Sequence, residues 1–387
     1  MSQMTAEEML AKLVSFDTTS AKTNLPLIEW VADYLDGHGV VPVILPSDDG
    51  IHANLYAHVG PEEPGGVILS GHTDVVPVTG QAWDSDPWVV TERDGRYYGR
   101  GTCDMKGFLA IALAAVPTMG SLDRPIQLAL SYDEEVGCLG CVPMVKAIAA
   151  LPHRAEMCIV GEPSMMKAVT GHKGSIGYTT HVRGYEVHSS LVHRGVSAVM
   201  NAARMVEWHR TTMAENAADA AGAGSSGYEP PYTTLHVGTI EGGTAGNITA
   251  RDCRFLTDIR IIPGEDETEW DRRYRAMAAE IEADMRVIHP GTGIDISERM
   301  ITPALAAEDG GRAEALVRRL TGDNSDNVVS YQTEAGHFQQ AGFSTVICGP
   351  GSIEQAHQPN EYISVAQFDH GRRFMSALVG SLSAAAA

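Results

Sequence analysis

Five places in the chain carry side chains able to bind cations or move protons. They are His72 with Asp74, Asp104, the adjacent pair Glu134 and Glu135, Glu162, and His357. A single histidine or acid in a loop is ordinarily a solvated surface group. Here each position follows a short apolar run or opens a helix, and in open α/β sheets the carboxyl ends of the strands are where ligands bind. In His72-Thr-Asp74, extended geometry puts residues two apart on one face, so Asp74 can reach the ring of His72 or the group above it. A carboxylate there fits the task of orienting a metal-bound imidazole better than that of ligation. Glu134 and Glu135 cannot point the same way in extended geometry. One suits metal binding, and the other stays free beside a bound water, where it can take a proton and pass it to a leaving nitrogen. Two histidines, one shared aspartate and two glutamates form a mixed nitrogen and oxygen set, suited to zinc and also to cobalt or manganese.

The elements that must hold these groups alternate through the first 178 residues or so. Thr5 followed by Glu8 predicts a capped helix through about Phe16, and residues 24–36 carry apolar positions at helical spacing. Apolar runs at 66–70, 126–131 and 157–160 read as buried strands of a mostly parallel sheet, with crossover helices at 107–116 and 142–150. From about Tyr178 the order becomes strand 178–183, helix 197–214, strands 234–240 and 253–262, helix 267–286 and strand 294–300. This β-α-β-β-α-β order is that of a ferredoxin-like unit. A helix at 308–320 and strands near 328–331 and 345–348 then resume the α/β pattern. The expectation is a discontinuous catalytic domain, 1–177 and 302–387, with an inserted α+β domain at 178–301. The small-residue stretch 217–227 reads as a flexible connection, and the alanines at 384–387 as a frayed end.

Lys plus Arg number 28 against 49 Asp plus Glu, a formal net charge of -21. Such a chain repels phosphate backbones and anionic lipid, so nucleic-acid and membrane partners are not expected. The first residues lack the basic segment and apolar run of a signal peptide, and no stretch approaches a membrane span. A cytoplasmic protein with its six cysteines reduced is the expectation.

Gly71-His-Thr-Asp-Val-Val-Pro77, Gly99-Arg-Gly-Thr-Cys-Asp-Met-Lys-Gly107, Asp133-Glu-Glu-Val-Gly137, Gly161-Glu-Pro163 and Ala356-His357 together resemble the ordered motifs of the di-metal amidohydrolases. That family includes acetylornithine deacetylase, succinyl-diaminopimelate desuccinylase, aminoacylase and glutamate carboxypeptidases. The resemblance spans nearly the whole chain, and it implies a di-zinc exopeptidase-like fold with a ferredoxin-like dimerisation domain. By position it implies that Asp104 bridges two divalent ions, with His72 and Glu162 on one, Glu135 and His357 on the other, Glu134 as general base and Asp74 behind the site. It also implies a homodimer in which a histidine from the partner's inserted domain helps bind the substrate carbonyl; His188 matches that position. Arg260 and Asn247 resemble the residues that hold a substrate carboxylate, an ordinary strand ion pair being the alternative for Arg260. The stretches 230–240, Thr333-Glu-Ala335 and 348–362 look most like the acetylornithine deacetylase branch. They put Glu334 at the substrate's cationic end and Gly351 and Ser352 in the binding pocket. Ala250, where the family commonly has Pro, and Gly336-His337 depart from that text.

Other signals carry less. Gly99-Arg-Gly101 begins like a dinucleotide fingerprint but has Asp104 at its sixth position. Cys138 and Cys141 have redox-motif spacing, but the acids beside them favour a metal context. Cys103 reads as a small buried residue rather than a further ligand. No Gly-x-Ser-x-Gly elbow is present for a serine hydrolase. A metal-dependent phosphoesterase would want a basic cluster near the motifs, and a non-catalytic metal-binding protein would have no use for a free glutamate beside the ligands.

Overall fold

The computed structural model describes residues 3–221 and 227–383, and the chain falls into two compact units. The first runs to Gly171 and takes in Leu305–Asn327 and the chain from Thr333 onward; the second comprises His172–Ala304 and Val328–Gln332.

The first unit opens with helix α1 (Ala6–Val14), where Thr5 and Glu8 cap each other reciprocally, and helix α2 (Leu25–Asp36). Strands β1 (Pro42–Pro46), β2 (Ala53–Val59) and β3 (Val67–His72) follow, then a short hairpin of β4 (Thr91–Arg93) and β5 (Arg96–Tyr98). Next come helix α3 (Lys106–Ala115), β6 (Ile126–Ser131), helix α4 (Val142–Ala149), β7 (Met157–Pro163) and β8 (Val169–His172).

The second unit contains β9 (Gly174–Arg183), helix α5 (Ala198–Ala220), β10 (Thr234–Gly242), β11 (Asp252–Ile261), helix α6 (Glu267–Ile288) and β12 (Gly293–Thr302). Its sheet runs β10-β11-β9-β12 with every neighbour antiparallel. Burial alternates along β11, so one face carries the core, which Ile176, Tyr178, Phe255 and Ile259 share with Tyr274 and Ile281 of α6. The chain then continues through α7 (Arg312–Thr321), β13 (Asn327–Val329), α8 (Ala335–Gln340), β14 (Ser344–Gly349), β15 (Tyr362–Ser364) and α9 (Val365–Leu382).

The large sheet has the order β1-β2-β6-β3-β7-β14-β8-β13. Its centre, β6-β3-β7-β14, is parallel throughout, with antiparallel strands toward both edges. All of β3, β6 and β14 is buried, which is why these strands read as unbroken apolar runs rather than alternating ones. Helices α1, α3 and α9 share their apolar faces with the sheet in one core, to which Leu13, Phe108, Leu109, Phe368 and Leu378 belong. Because β3, β6 and β7 run in the same direction, the residues at their carboxyl ends, His72, Ser131 and Glu162, come out on one edge of the sheet.

Several local expectations change. Helix α5 continues to Ala220, so the first alanines of the stretch 217–227 are helical, as their propensity favours; 222–226 and the terminal 384–387 lie outside the described residues. Helix α7 starts at Arg312 rather than at 308, since Gly310 and Gly311 interrupt it. Strand β9 starts at Gly174, where its ladder with β11 begins, and its ladder with β12 begins at Ser175. Helix α9 carries Phe368, Met375, Leu378 and Leu382 at helical spacing, which a search for short strand-like runs passes over. Among the described residues no helix is long and apolar enough to cross a membrane.

The sheet tolerates no side chain at Gly161: a Cβ there would lie 2.1 Å from the buried ring of Phe108. Gly161→Ala is expected to destabilise the protein by about 1–3 kcal/mol, as overpacked cores do. A urea midpoint unchanged from the parent would contradict this close packing of α3 on β7.

Candidate metal centre

His72 ends β3 with its side chain buried. Its Nδ1 lies 2.8 Å from the backbone carbonyl of Asp74, an acceptor only, so Nδ1 carries the proton and Nε2 turns toward the acids. Nε2 stands 2.9 Å from Asp104 Oδ1 and 3.7 Å from Glu162 Oε1. The other oxygen of Asp104, Oδ2, lies 3.2 Å from His357 Nε2, and that nitrogen is 2.9 Å from Glu135 Oε2. Asp104 therefore faces two groups with two different oxygens. His72, Asp104 and Glu162 form one set, Asp104, Glu135 and His357 the other, and within each set the possible ligand atoms lie within 4.8 Å of one another.

Each member is held from behind. The carboxylate of Asp74 accepts the N–H groups of Glu134 and Glu135 at 3.2 and 3.3 Å and the Ser20 hydroxyl at 2.7 Å. It is 3.5 Å from the His72 ring, so Asp74 orients the imidazole through its carbonyl and spends its carboxylate on the loop that carries the glutamates. The Asp104 loop closes around Glu361, a buried residue outside the initial candidates. Glu361 accepts the N–H groups of Gly101, Cys103 and Asp104 at 2.9–3.0 Å and pairs with buried Arg100 at 2.7 Å. The only hint in the sequence is an acid four residues after His357. Gln81 donates to the carbonyl of His357, whose backbone is left-handed at φ 64°.

So many acids in one place disturb their own ionisation. Burial, and then the charges of Asp104 and Glu134, push Glu162 well above the usual range. Burial with the charges of Glu135 and Asp104, against the pull of His72, pushes Glu134 up to about 8. Burial also raises Glu135, with Asp104 reinforcing it. Hydrogen bonds to Asp104 and Glu135 outweigh desolvation and push His357 up to about 10. At His72 burial opposes protonation, yet the hydrogen bond to Asp104 and the Asp74 carboxylate 3.5 Å from Nδ1 still raise it well above its ordinary value.

Divalent cations fit this arrangement. Glu162 Oε1 is buried with no hydrogen-bond partner among the described residues, and His72 Nε2 points its lone pair at a carboxylate unless it is protonated or shares a cation. Two imidazole nitrogens and two glutamates around a shared aspartate would satisfy a pair of such ions.

The other candidates occupy varied settings. Ser352 and Gly351 lie against the Asp104 loop: the Cys103 thiol donates to the Ser352 carbonyl at 3.3 Å, and a Cβ on Gly351 would come within 2.6 Å of that sulfur. Cys103 is buried and belongs to neither ligand set. Glu334 requires a correction. It is 1% exposed, and its two oxygens accept the hydroxyls of Ser70 and Ser131 at 2.6 Å each, so it has no free face for a cationic substrate. It ties β3 to β6 beneath the site instead. In the second unit, exposed His188 contacts Ser190 through Nδ1, and Ser189 N–H donates to the Asn247 carbonyl at 2.8 Å. Arg260 donates to Asp258 on its own strand at 2.9 Å, the ion pair that was its alternative reading.

A sequence profile described as peptidase family M20/M25/M40 matches residues 68–381. An acetylornithine deacetylase of Myxococcus xanthus is 35% identical, with 92% of each chain covered. One from Pasteurella multocida is 31% identical over 96% of this chain and 97% of its own. Among solved structures, an M20 family metallo-carboxypeptidase of Sulfolobus solfataricus superimposes with a TM-score of 0.75 at 18% identity, covering 97% of this chain and 98% of its own. A Bacillus subtilis protein described as a dinuclear metal-binding peptidase of the M20 family gives 0.66 at 13% identity, with 97% of both chains covered.

The shifted groups set a pH dependence for the metal-free protein. The His357 pairing stabilises fully below its ordinary value of 6.5 and is lost as pH rises toward about 10. Glu134, ordinarily 4.5, costs stability as it is forced to ionise on the way up to about 8. Chelated protein should therefore lose thermal stability steadily from pH 6.5 to 10, and metal-loaded protein much less. A chelated melting temperature that held flat or rose over that range would contradict the assignment.

Proposed function

The chain belongs to peptidase family M20/M25/M40 and is a hydrolase of amide bonds, and from that premise we propose that it removes the acyl group of an N-acyl amino acid, N2-acetyl-L-ornithine first among them. The observation that carries the reading is the double ligand set sharing Asp104, with Glu134 beside it. The relatives named acetylornithine deacetylase, similar over more than nine-tenths of the chain, support the substrate. On this reading the protein works in the cytoplasm, in arginine biosynthesis, with two divalent ions, zinc before cobalt or manganese.

His72, Asp104 and Glu162 would hold one ion, and Asp104, Glu135 and His357 the other. Bound there, the ions would supply Lewis acidity toward an acyl oxygen and positive charge that acidifies water and the neighbouring carboxylates. The chain's own contribution begins with Glu134. Its carboxylate takes a proton from the attacking water and returns it to the departing nitrogen, so that an amine rather than an amide anion leaves. Asp74 keeps the two glutamates apart through their backbone N–H groups, leaving Glu135 turned toward His357 and Glu134 unengaged by either ligand set. We assign Arg260 and Asn247 to the substrate carboxylate and Gly351 and Ser352 to the pocket wall. The second unit forms the homodimer, and His188 of the partner subunit reaches the substrate carbonyl.

Glu134→Ala is expected to keep its metal and lose about 10²- to 10⁴-fold in kcat, the usual share of a general base. N-acetylornithine should be cut faster than N-succinyl-diaminopimelate, and neither should be cut in excess chelator. Near-full activity in Glu134→Ala would refute the mechanism, and preference for the succinyl compound would move the substrate to another N-acyl amino acid.

A further inference from the structure

The turn that carries the two glutamates folds back on itself. Gly137 N–H donates to the Glu134 carbonyl at 3.1 Å, and Cys138 N–H is shared between the carbonyls of Asp133 and Glu134 at 3.0 and 3.2 Å. Asp133 and Cys138 both sit in the left-handed region, at φ 59° and 58°, with Gly137 at 127°. Non-glycine residues in that region are disfavoured and persist where their surroundings fix them, commonly around functional groups. The consequence is local. The Cys138 thiol, fully buried, comes to 3.2 Å from Glu134 Oε1. The thiol is placed to donate to that carboxylate. Asp74 fixes the backbone of Glu134, but the side chain has three further torsions, and the thiol anchors its far end.

We propose that Cys138 is a positioning residue, whose S–H donates to Glu134 Oε1 and holds the carboxylate in one rotamer with Oε2 free to take the proton of the attacking water. The proposal rests on the reading of Glu134 as general base. The Cys138 and Cys141 pair then needs no redox role: the Cys141 thiol, at the start of α4, donates to the Cys138 carbonyl at 3.1 Å, and Cys138 points at the base.

A buried thiol can also be no more than a small apolar filler, and the two roles rank substitutions in opposite order. If Cys138 only fills space, Ala is tolerated and Ser, which buries a hydroxyl, is the worse replacement. If it positions Glu134, Ser keeps the donor and Ala loses it. The test measures kcat, KM, bound metal and melting temperature for Cys138→Ala, Cys138→Ser and Glu134→Ala. It also records the infrared S–H stretch assigned to Cys138 by its loss in Cys138→Ser. Cys138→Ala should lower kcat about tenfold, within the roughly 100-fold cost of a misplaced catalytic group, with KM and metal unchanged. Cys138→Ser should stay within about threefold of the parent. The S–H band should lie at lower frequency in the parent than in Glu134→Ala, a readout that survives even if Cys138→Ala does not fold. Full kcat in Cys138→Ala, a Ser variant weaker than the Ala variant, or a band unmoved by Glu134→Ala overturns the proposal. An active Glu134→Ala overturns the general-base reading itself, and the proposal with it.

Discussion

Negative charge gathered in a dry place is the constraint from which the rest of this structure follows. Asp74, Asp104 and Glu162 are nearly inaccessible, Glu134 and Glu135 stand beside them, and the imidazoles of His72 and His357 face the group. Buried carboxylates at such separations cannot all ionise without compensating cations. In the metal-free protein the strain surfaces as raised glutamates and histidines that hold their protons. It is relieved most simply by two divalent ions, which would draw on both oxygens of Asp104 and the unpartnered oxygen of Glu162.

Holding that charge in place takes a second layer of buried polar groups. Asp74 braces the Glu134-Glu135 turn, Glu361 with Arg100 braces the Asp104 loop, and Glu334 pins Ser70 on β3 to Ser131 on β6. Each brace is a carboxylate that accepts from backbone N–H, hydroxyl or guanidinium, so none competes for the space between the imidazoles. Outer groups of this kind orient the side chains that would ligate metal and tune their affinity for it. The parallel sheet supplies the frame: three strands running in the same direction deliver His72, the turn after Ser131, and Glu162 to one edge.

Much of this was legible in the sequence because parallel strands buried on both faces leave unbroken apolar runs, and the chemistry begins where each run stops. That rule finds β3, β6, β7 and β14 and the acids beyond them. It misses β1 and β2, whose partial exposure dilutes the apolar signal, and α9, whose apolar residues are spread over five turns. Resemblance puts Glu334 at the substrate because it marks a position, not the direction of a side chain; two serines, 264 and 203 residues away, decide that direction. The roles of Glu361 and of the Cys138 thiol are hidden for a related reason. Their partners are backbone N–H groups in one case and a glutamate one turn back in the other, and neither leaves a compositional trace.

Side chains from five separate stretches should enclose two cations that share Asp104. Crystals of the metal-loaded protein, with anomalous diffraction recorded on both sides of the absorption edge of the bound metal, test it most directly. Two peaks per chain are expected, one among His72, Asp104 and Glu162 and one among Asp104, Glu135 and His357. A fully loaded crystal with one peak, or with its peaks away from Asp104, would contradict it.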